Sequence, residues 1–145
     1  MRIAIASDHA ALELKTTLAA YLRAGGHDVT DLGPNDGASV DYPDFGYKLA
    51  DAVANGEAER GVALCGTGIG ISIAANRNPA VRCSVVSEPH SAKLAREHND
   101  ANVIATGARM IGIEMAKACL DVFLSTPFSG GRHARRVEKL SHRRQ

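Results

Sequence analysis

The run Cys65-Gly66-Thr67-Gly68-Ile69-Gly70 places a thiol at the head of a glycine-rich turn. Gly61-Val62-Ala63-Leu64 before it reads as a short apolar strand that ends at Cys65, and Ile69 to Asn76 after it reads as a helix. Glycines let the backbone come close to a ligand and turn successive N–H groups outward. The start of a helix adds partial positive charge. Together they make an anion site, and the same field favours the anionic form of a thiol placed there. Such a thiol can take a proton from a carbon next to a carbonyl while the backbone N–H groups hold the enediolate oxygen. Thr67 can add its hydroxyl.

The same glycines suit other chemistry. A dinucleotide fingerprint needs G-x-G-x-x-G, but Gly66, Gly68 and Gly70 give G-x-G-x-G and position 71 is Ile. Glu88 does stand after the next strand, where a ribose-binding acid would sit. A phosphate-binding P-loop needs a Gly-Lys-Ser/Thr ending, which is missing. A cysteine phosphatase would carry an arginine where Ile71 stands. A tight strand-to-helix turn without chemistry also remains open.

His98-Asn99-Asp100 is the second candidate group. A lone histidine at a helix end commonly serves as a cap. As a functional group, a near-neutral imidazole can open a cyclic sugar by moving the anomeric hydroxyl proton, and Asn99 can bond hydroxyls. Arg132 and Arg136 are four apart, so a helix puts them on one face. Paired guanidiniums suit phosphate; the bland alternative is a solvated basic helix. Arg109 is expected to open a long helix, where a cation opposes the dipole, and that misfit hints at a ligand.

The totals limit the choice. A chain of 145 residues with 45% apolar and 23% charged residues fits one globular domain, 1–145. No apolar run is long enough to span a bilayer, so no membrane role is expected. Met1 to Ala6 lacks a signal-peptide core, which points to the cytoplasm. Cys65, Cys83 and Cys119 are widely spaced, with no metal-ligand or disulfide pattern. Cys83 and Cys119 sit in apolar runs and read as packing residues. The tail from about 131 to 145 has six Lys/Arg and one Glu, net +5, against net −4 elsewhere. It has no aromatic residue to stack a base, so nucleic acid is not the expected partner; an anionic substrate is.

The elements that must hold these residues alternate. Strands are predicted over Arg2–Ser7, His27–Leu32, Gly61–Cys65, Val81–Val86 and Asn102–Ala105. Helices are predicted from Leu12 to Gly25, Asp44 to Asn55, Ile69 to Asn76, Pro89 to Glu97 and Arg109 to Leu124, the last the longest, with a basic helix at the end. Five β-α units with strands apolar on both faces give a doubly wound α/β/α sandwich, Rossmann-like, on a five-stranded parallel sheet, plus a C-terminal helix. Ligands bind such sheets at the carboxyl ends of strands, which is where Asp8, His9 and Cys65 fall.

With these motifs in place the chain resembles the B-type ribose-5-phosphate isomerases, a family that also holds the galactose-6-phosphate isomerase subunits. The resemblance spans nearly the whole chain. It rests on Ser7-Asp8-His9, Asp41-Tyr42-Pro43, the stretch Cys65 to Asn76, Ser87-Glu88-Pro89, His98 to Val103, and Gly130-Gly131-Arg132-His133 with Arg136. It implies interconversion of D-ribose 5-phosphate and D-ribulose 5-phosphate through a cis-enediolate, in the non-oxidative pentose phosphate pathway, with no metal and no other cofactor. It implies that Cys65 shuttles the proton, that His98 opens the ring, and that Thr67 and Gly66, Gly68, Ile69 and Gly70 hold the enediolate. Asp8 and Asn99 would then bind hydroxyls, and His9, Arg109, Arg132 and Arg136 the phosphate. Some members use a glutamate base downstream; Ile71 to Ala75 has no acid, so this chain is of the cysteine type. A six-carbon phosphate, allose or galactose 6-phosphate, is the alternative substrate, and a non-catalytic sugar-phosphate or nucleotide-binding module a third reading. Every expected residue lies in one chain, whereas two related chains share the galactose reaction, and this favours ribose. The family is dimeric or tetrameric. Cys65 ends a strand while His98 and Asn99 precede one, so the two groups belong to opposite sheet edges. A homodimer with a shared site is therefore expected.

Overall fold

Along Arg2–Ser7 (β1) isoleucine and alanine alternate, and both faces are buried. Ile3 and Ile5 enter one core; Ala4 and Ala6 enter another on the opposite side of the sheet. The computed structural model describes residues 1–143; Arg144 and Gln145, the end of the basic tail, lie outside the described residues.

Four more strands follow: β2 (Asp28–Asp31), β3 (Arg60–Cys65), β4 (Cys83–Val85) and β5 (Val103–Gly107). They form a parallel sheet in the order β2-β1-β3-β5-β4. The helices between them are α1 (Leu12–Ala24), α2 (Tyr42–Ala54), α3 (Ile69–Ala75), α4 (Pro89–Asn99) and α5 (Ile113–Ser125), and α6 (Arg132–Ser141) follows. This is the expected α/β sandwich. Leucines 14, 18 and 22 of α1, with Phe123 and Leu120 of α5, pack on the isoleucine face. Leu49 of α2 and Ile71 and Ala75 of α3 pack on the alanine face. Small side chains there let α2 and α3 lie close: a Cβ on Gly46 would stand 2.8 Å from that of Ala74.

The chain leaves β1 for β2 on one side and returns to β3 on the other. The direction of winding therefore reverses between β1 and β3, which opens a crevice at their carboxyl ends. Ser7 pairs with Leu64 there, and the Asp8 N–H donates to the Leu64 carbonyl at 3.1 Å. Asp8 and Cys65 are thus placed side by side by backbone pairing.

Several expectations need correction. Strand β4 keeps only Cys83–Val85, and it is a partly exposed edge rather than a strand apolar on both faces. Arg82 and Asn102 beside it bond in both directions, the Arg82 N–H to Asn102 Oδ1 at 2.8 Å and the Asn102 N–H to the Arg82 carbonyl at 3.1 Å. Helix α4 runs through Asn99, so His98 and Asn99 lie in its last turn. Arg109 does not open α5. The amides of Met110 and Ile111 both bond back to the Gly107 carbonyl, and α5 starts only at Ile113. The dipole misfit expected for Arg109 therefore does not exist. Helix α5 has 13 residues and shares the greatest length with α1 and α2. Among the described residues no helix is long and apolar enough to cross a membrane.

Candidate active site

Strand β3 ends at Cys65, and the next backbone turn is shaped by close contact with β5. Gly68 has φ +80°, and a Cβ there would meet the Thr106 backbone at 2.7 Å. A Cβ on Gly107 would collide with the Thr67 backbone. Only glycine fits either position. The Ala108 and Arg109 amides lock the turn from the other side by donating to the Cys65 and Gly66 carbonyls at 2.9 and 3.0 Å.

This turn folds back on the thiol. The Gly68 N–H donates to Cys65 Sγ at 3.0 Å, and Thr67 Oγ1 lies 4.0 Å from the same sulfur. Cys65 is 4% exposed. Thr67 Oγ1 accepts the Ile69 N–H at 3.1 Å. The first α-helical bond of α3 runs from Ser72 to Gly68, so the Gly70 and Ile71 amides precede the helix ladder and face its open end. The sulfur thus sits as a hydrogen-bond acceptor beside a row of backbone donors, an arrangement suited to taking a proton and holding the oxyanion left behind.

Asp8 Oδ1 accepts the Ala10 N–H at 3.0 Å and caps the short turn His9–Ala11. His9 is exposed, and its Nδ1 accepts the Val40 N–H at 3.1 Å. The neutral ring then carries its proton on Nε2. The Arg109 guanidinium lies along Gly66, with Nη1 3.4 Å from where a Cβ would be. Tyr42 packs its ring against Gly70, so closely that a Cβ on Gly70 would stand 2.6 Å from it. The crevice therefore gathers Asp8, His9, Cys65, Gly66, Thr67, Gly68, Ile69, Gly70 and Arg109. Tyr42 belongs to this wall and was visible only as part of Asp41-Tyr42-Pro43.

His98, Asn99, Arg132 and Arg136 lie elsewhere. Cys65 pairs with Gly107 at the top of β5, while His98 and Asn99 close α4 ahead of the first β5 residue, Val103. The length of β5 alone separates them by roughly 13 Å. Helix α6 packs on this lower end: the His98 and His133 rings stack with centroids 4.5 Å apart, and the Ser129 N–H donates to the Glu97 carbonyl at 3.1 Å. The turn itself is gripped by two arginines that sequence reasoning missed. Arg82 Nε donates to the Asn99 and Asp100 carbonyls at 3.1 and 3.0 Å. The buried Arg96 pairs with Asp100 at 2.8 Å. Asp100 takes a left-handed φ of 44°, which turns the chain sharply after Asn99. The four-residue spacing of Arg96 and Asp100 was the available signal.

The other titratable groups serve the fold. Burial pushes the Cys83 thiol up to about 12 and raises that of Cys119. Glu88 is held below its usual range by bonds from Ser91 and His90, because it caps α4. That use accounts for its place after the fourth strand. Among the described residues no three His, Cys, Asp or Glu side chains are grouped to hold a metal ion.

Residues 3–140 match the sequence model of a family described as Ribose/Galactose Isomerase. The chain is 45% identical over 140 residues to ribose-5-phosphate isomerase B of Escherichia coli, covering 97% of this chain and 94% of that one. It is 43% identical over 143 residues to D-erythrulose-4-phosphate isomerase of Pectobacterium atrosepticum, covering 98% and 94%. Among solved structures it superposes on ribose-5-phosphate isomerase B of Clostridium thermocellum with a TM-score of 0.96 at 48% identity, covering 97% of this chain and 95% of that one.

Proposed function

The chain belongs to the ribose/galactose isomerase family, and from that premise we propose that it is a single-domain enzyme interconverting D-ribose 5-phosphate and D-ribulose 5-phosphate. The observation that carries the reading is the Cys65 sulfur, seated against the Gly68 amide and beside Thr67 at the crevice between β1 and β3. In the open-chain aldose, Cys65 takes the proton from C2. The electron pair moves onto the carbonyl oxygen and forms a cis-enediolate, which Thr67 and the turn amides hold. The hydroxyl proton passes from O2 to O1, and return of the carbon-bound proton to C1 then gives the ketose. The reaction is a proton transfer with no net redox change in the pair, and the reading needs no metal and no other cofactor.

His98 takes the anomeric hydroxyl proton as the furanose ring opens, and a proton is returned to the departing ring oxygen, which becomes the C4 hydroxyl. Asp8 and Asn99 bond sugar hydroxyls, and His9, Arg109, Arg132 and Arg136 bind phosphate. His98, Asn99, Arg132 and Arg136 reach Cys65 only from a second copy, so the active unit is a symmetric homodimer or a tetramer built from it. Ile69 and Ile73, one turn apart on α3, are 53% and 51% exposed, and Met110 beside Arg109 is 61% exposed. These apolar side chains border the crevice and suit burial by a partner. The enzyme works on a small anionic metabolite in the cytoplasm.

Substrate length is tested by incubating the purified protein with ribose 5-phosphate, erythrulose 4-phosphate, allose 6-phosphate and galactose 6-phosphate. The expected result is a kcat/KM for ribose 5-phosphate at least about tenfold above the others. Preference for a four- or six-carbon sugar phosphate would overturn the assignment.

A further inference from the structure

Lys15 is 1% exposed, yet it stands on the leucine stripe of α1. Its Nζ donates to both carboxylate oxygens of Asp31 at 2.6 and 2.7 Å and to the Pro34 carbonyl at 2.7 Å. All three ammonium protons are used. Stability alone does not call for this arrangement, because apolar residues in place of a buried ion pair are often neutral or stabilising. The pair holds something else in place.

What it holds is the stem of the loop after β2. Asp31 Oδ1 also accepts the Gly33 N–H at 2.8 Å, and the Gly33 carbonyl accepts the Ser7 N–H at 3.1 Å, one residue before Asp8. Further along, the Val40 N–H of the same loop meets His9 Nδ1. The loop is thus tied at its start by Lys15 and near its end by His9. The Val40 amide sets both the plane of the imidazole and its tautomer, leaving Nε2–H free as a donor.

We propose that Lys15 is a positioning residue for the anion end of the site: by fixing the loop stem it seats the Val40 amide on His9 and so presents His9 Nε2–H to the substrate phosphate. This rests on the assignment of His9 to the phosphate. Lys15 touches no reacting atom, so its loss weakens binding and leaves the proton transfer at Cys65 intact.

The test compares Lys15→Met, the charge-balanced pair Lys15→Met/Asp31→Leu, His9→Ala and Lys15→Met/His9→Ala. The Asp31 double variant covers the case in which Lys15→Met alone fails to fold. In both Lys15 variants the KM for ribose 5-phosphate and the inhibition constant of inorganic phosphate are expected to rise about tenfold, the scale of one charge-assisted hydrogen bond, with kcat within about twofold. Nitrogen-15 spectra should show His9 losing its single Nε2–H tautomer. On a His9→Ala background, Lys15→Met should leave KM unchanged. An additive rise in KM there, a fall in kcat with KM unchanged, or a retained His9 tautomer would overturn the proposal. An unchanged KM in His9→Ala itself would instead overturn the phosphate role of His9; the tautomer spectrum would still decide whether Lys15 positions the ring.

Discussion

The imidazoles of His98 and His133 are stacked, with ring centroids 4.5 Å apart and planes 14° from parallel. This contact joins the last turn of α4 to the first turn of α6, and it brings Arg132 and Arg136 to the end of the sheet that holds Asn99. Desolvation lowers the pKa of His133 below its ordinary 6.5, and the neighbouring His98, Arg132 and Arg136 add to the effect while Glu97 opposes it. A histidine whose folded value is depressed contributes stability above its unfolded value and loses it as pH falls through the folded one. The docking of α6 should therefore loosen below about pH 6.5 and not above it. Proton NMR should show His133 titrating below 6.5 in the parent and higher in His98→Asn. No change on removing His98 would contradict a stack that couples the two rings.

The glycine turn makes a steric prediction. A Cβ at Gly107 collides with the Thr67 backbone, and one at Gly68 meets Thr106 at 2.7 Å with an unfavourable φ. Gly107→Ala and Gly68→Ala should each cost about 1–3 kcal/mol of stability, measured by denaturant unfolding. They should also lower kcat by roughly 100-fold in protein that is still folded, because the thiol and its donors move together. A folded Gly107→Ala variant with parental kcat would show that the turn is not held by β5.

The two ends of the sheet make a prediction about assembly. Cys65→Ala and His98→Ala should each be nearly inactive alone. In a mixed dimer one site is doubly damaged and the other is intact. Random exchange of equal amounts should then restore about a quarter of parental activity. Verified subunit exchange without recovery would contradict a site shared between copies.

Much of this was legible in the sequence, for reasons that differ by residue. Gly25-Gly26 and Gly66 to Gly70 punctuate strongly, so the residues mark β1, α1, β3 and the thiol turn to within a residue or two. Met110 and Ile111 extend the apolar pattern of α5 and draw Arg109 into the helix by periodicity, whereas the chain first makes a turn back onto Gly107. The apolar pattern overextends β4, because Val81 and Val86 are buried on either side of a short edge pairing. The insertion of β5 between β3 and β4 depends on pairing between distant segments, which periodicity does not report. Nothing in the sequence singles out Lys15, because a lysine among leucines usually bends its head to water. Only the carboxylate of Asp31, sixteen residues on, shows why it stays inside.

In the proposed reaction Cys65 moves a proton between adjacent carbons of a sugar phosphate. Incorporation of solvent deuterium into ribose 5-phosphate and ribulose 5-phosphate tests it most directly. The parent protein should label C2 of the aldose and C1 of the ketose, and Cys65→Ala, folded by circular dichroism, should label neither. Labelling that persists in Cys65→Ala, or its absence in the parent with ribose, allose and galactose phosphates alike, would contradict it.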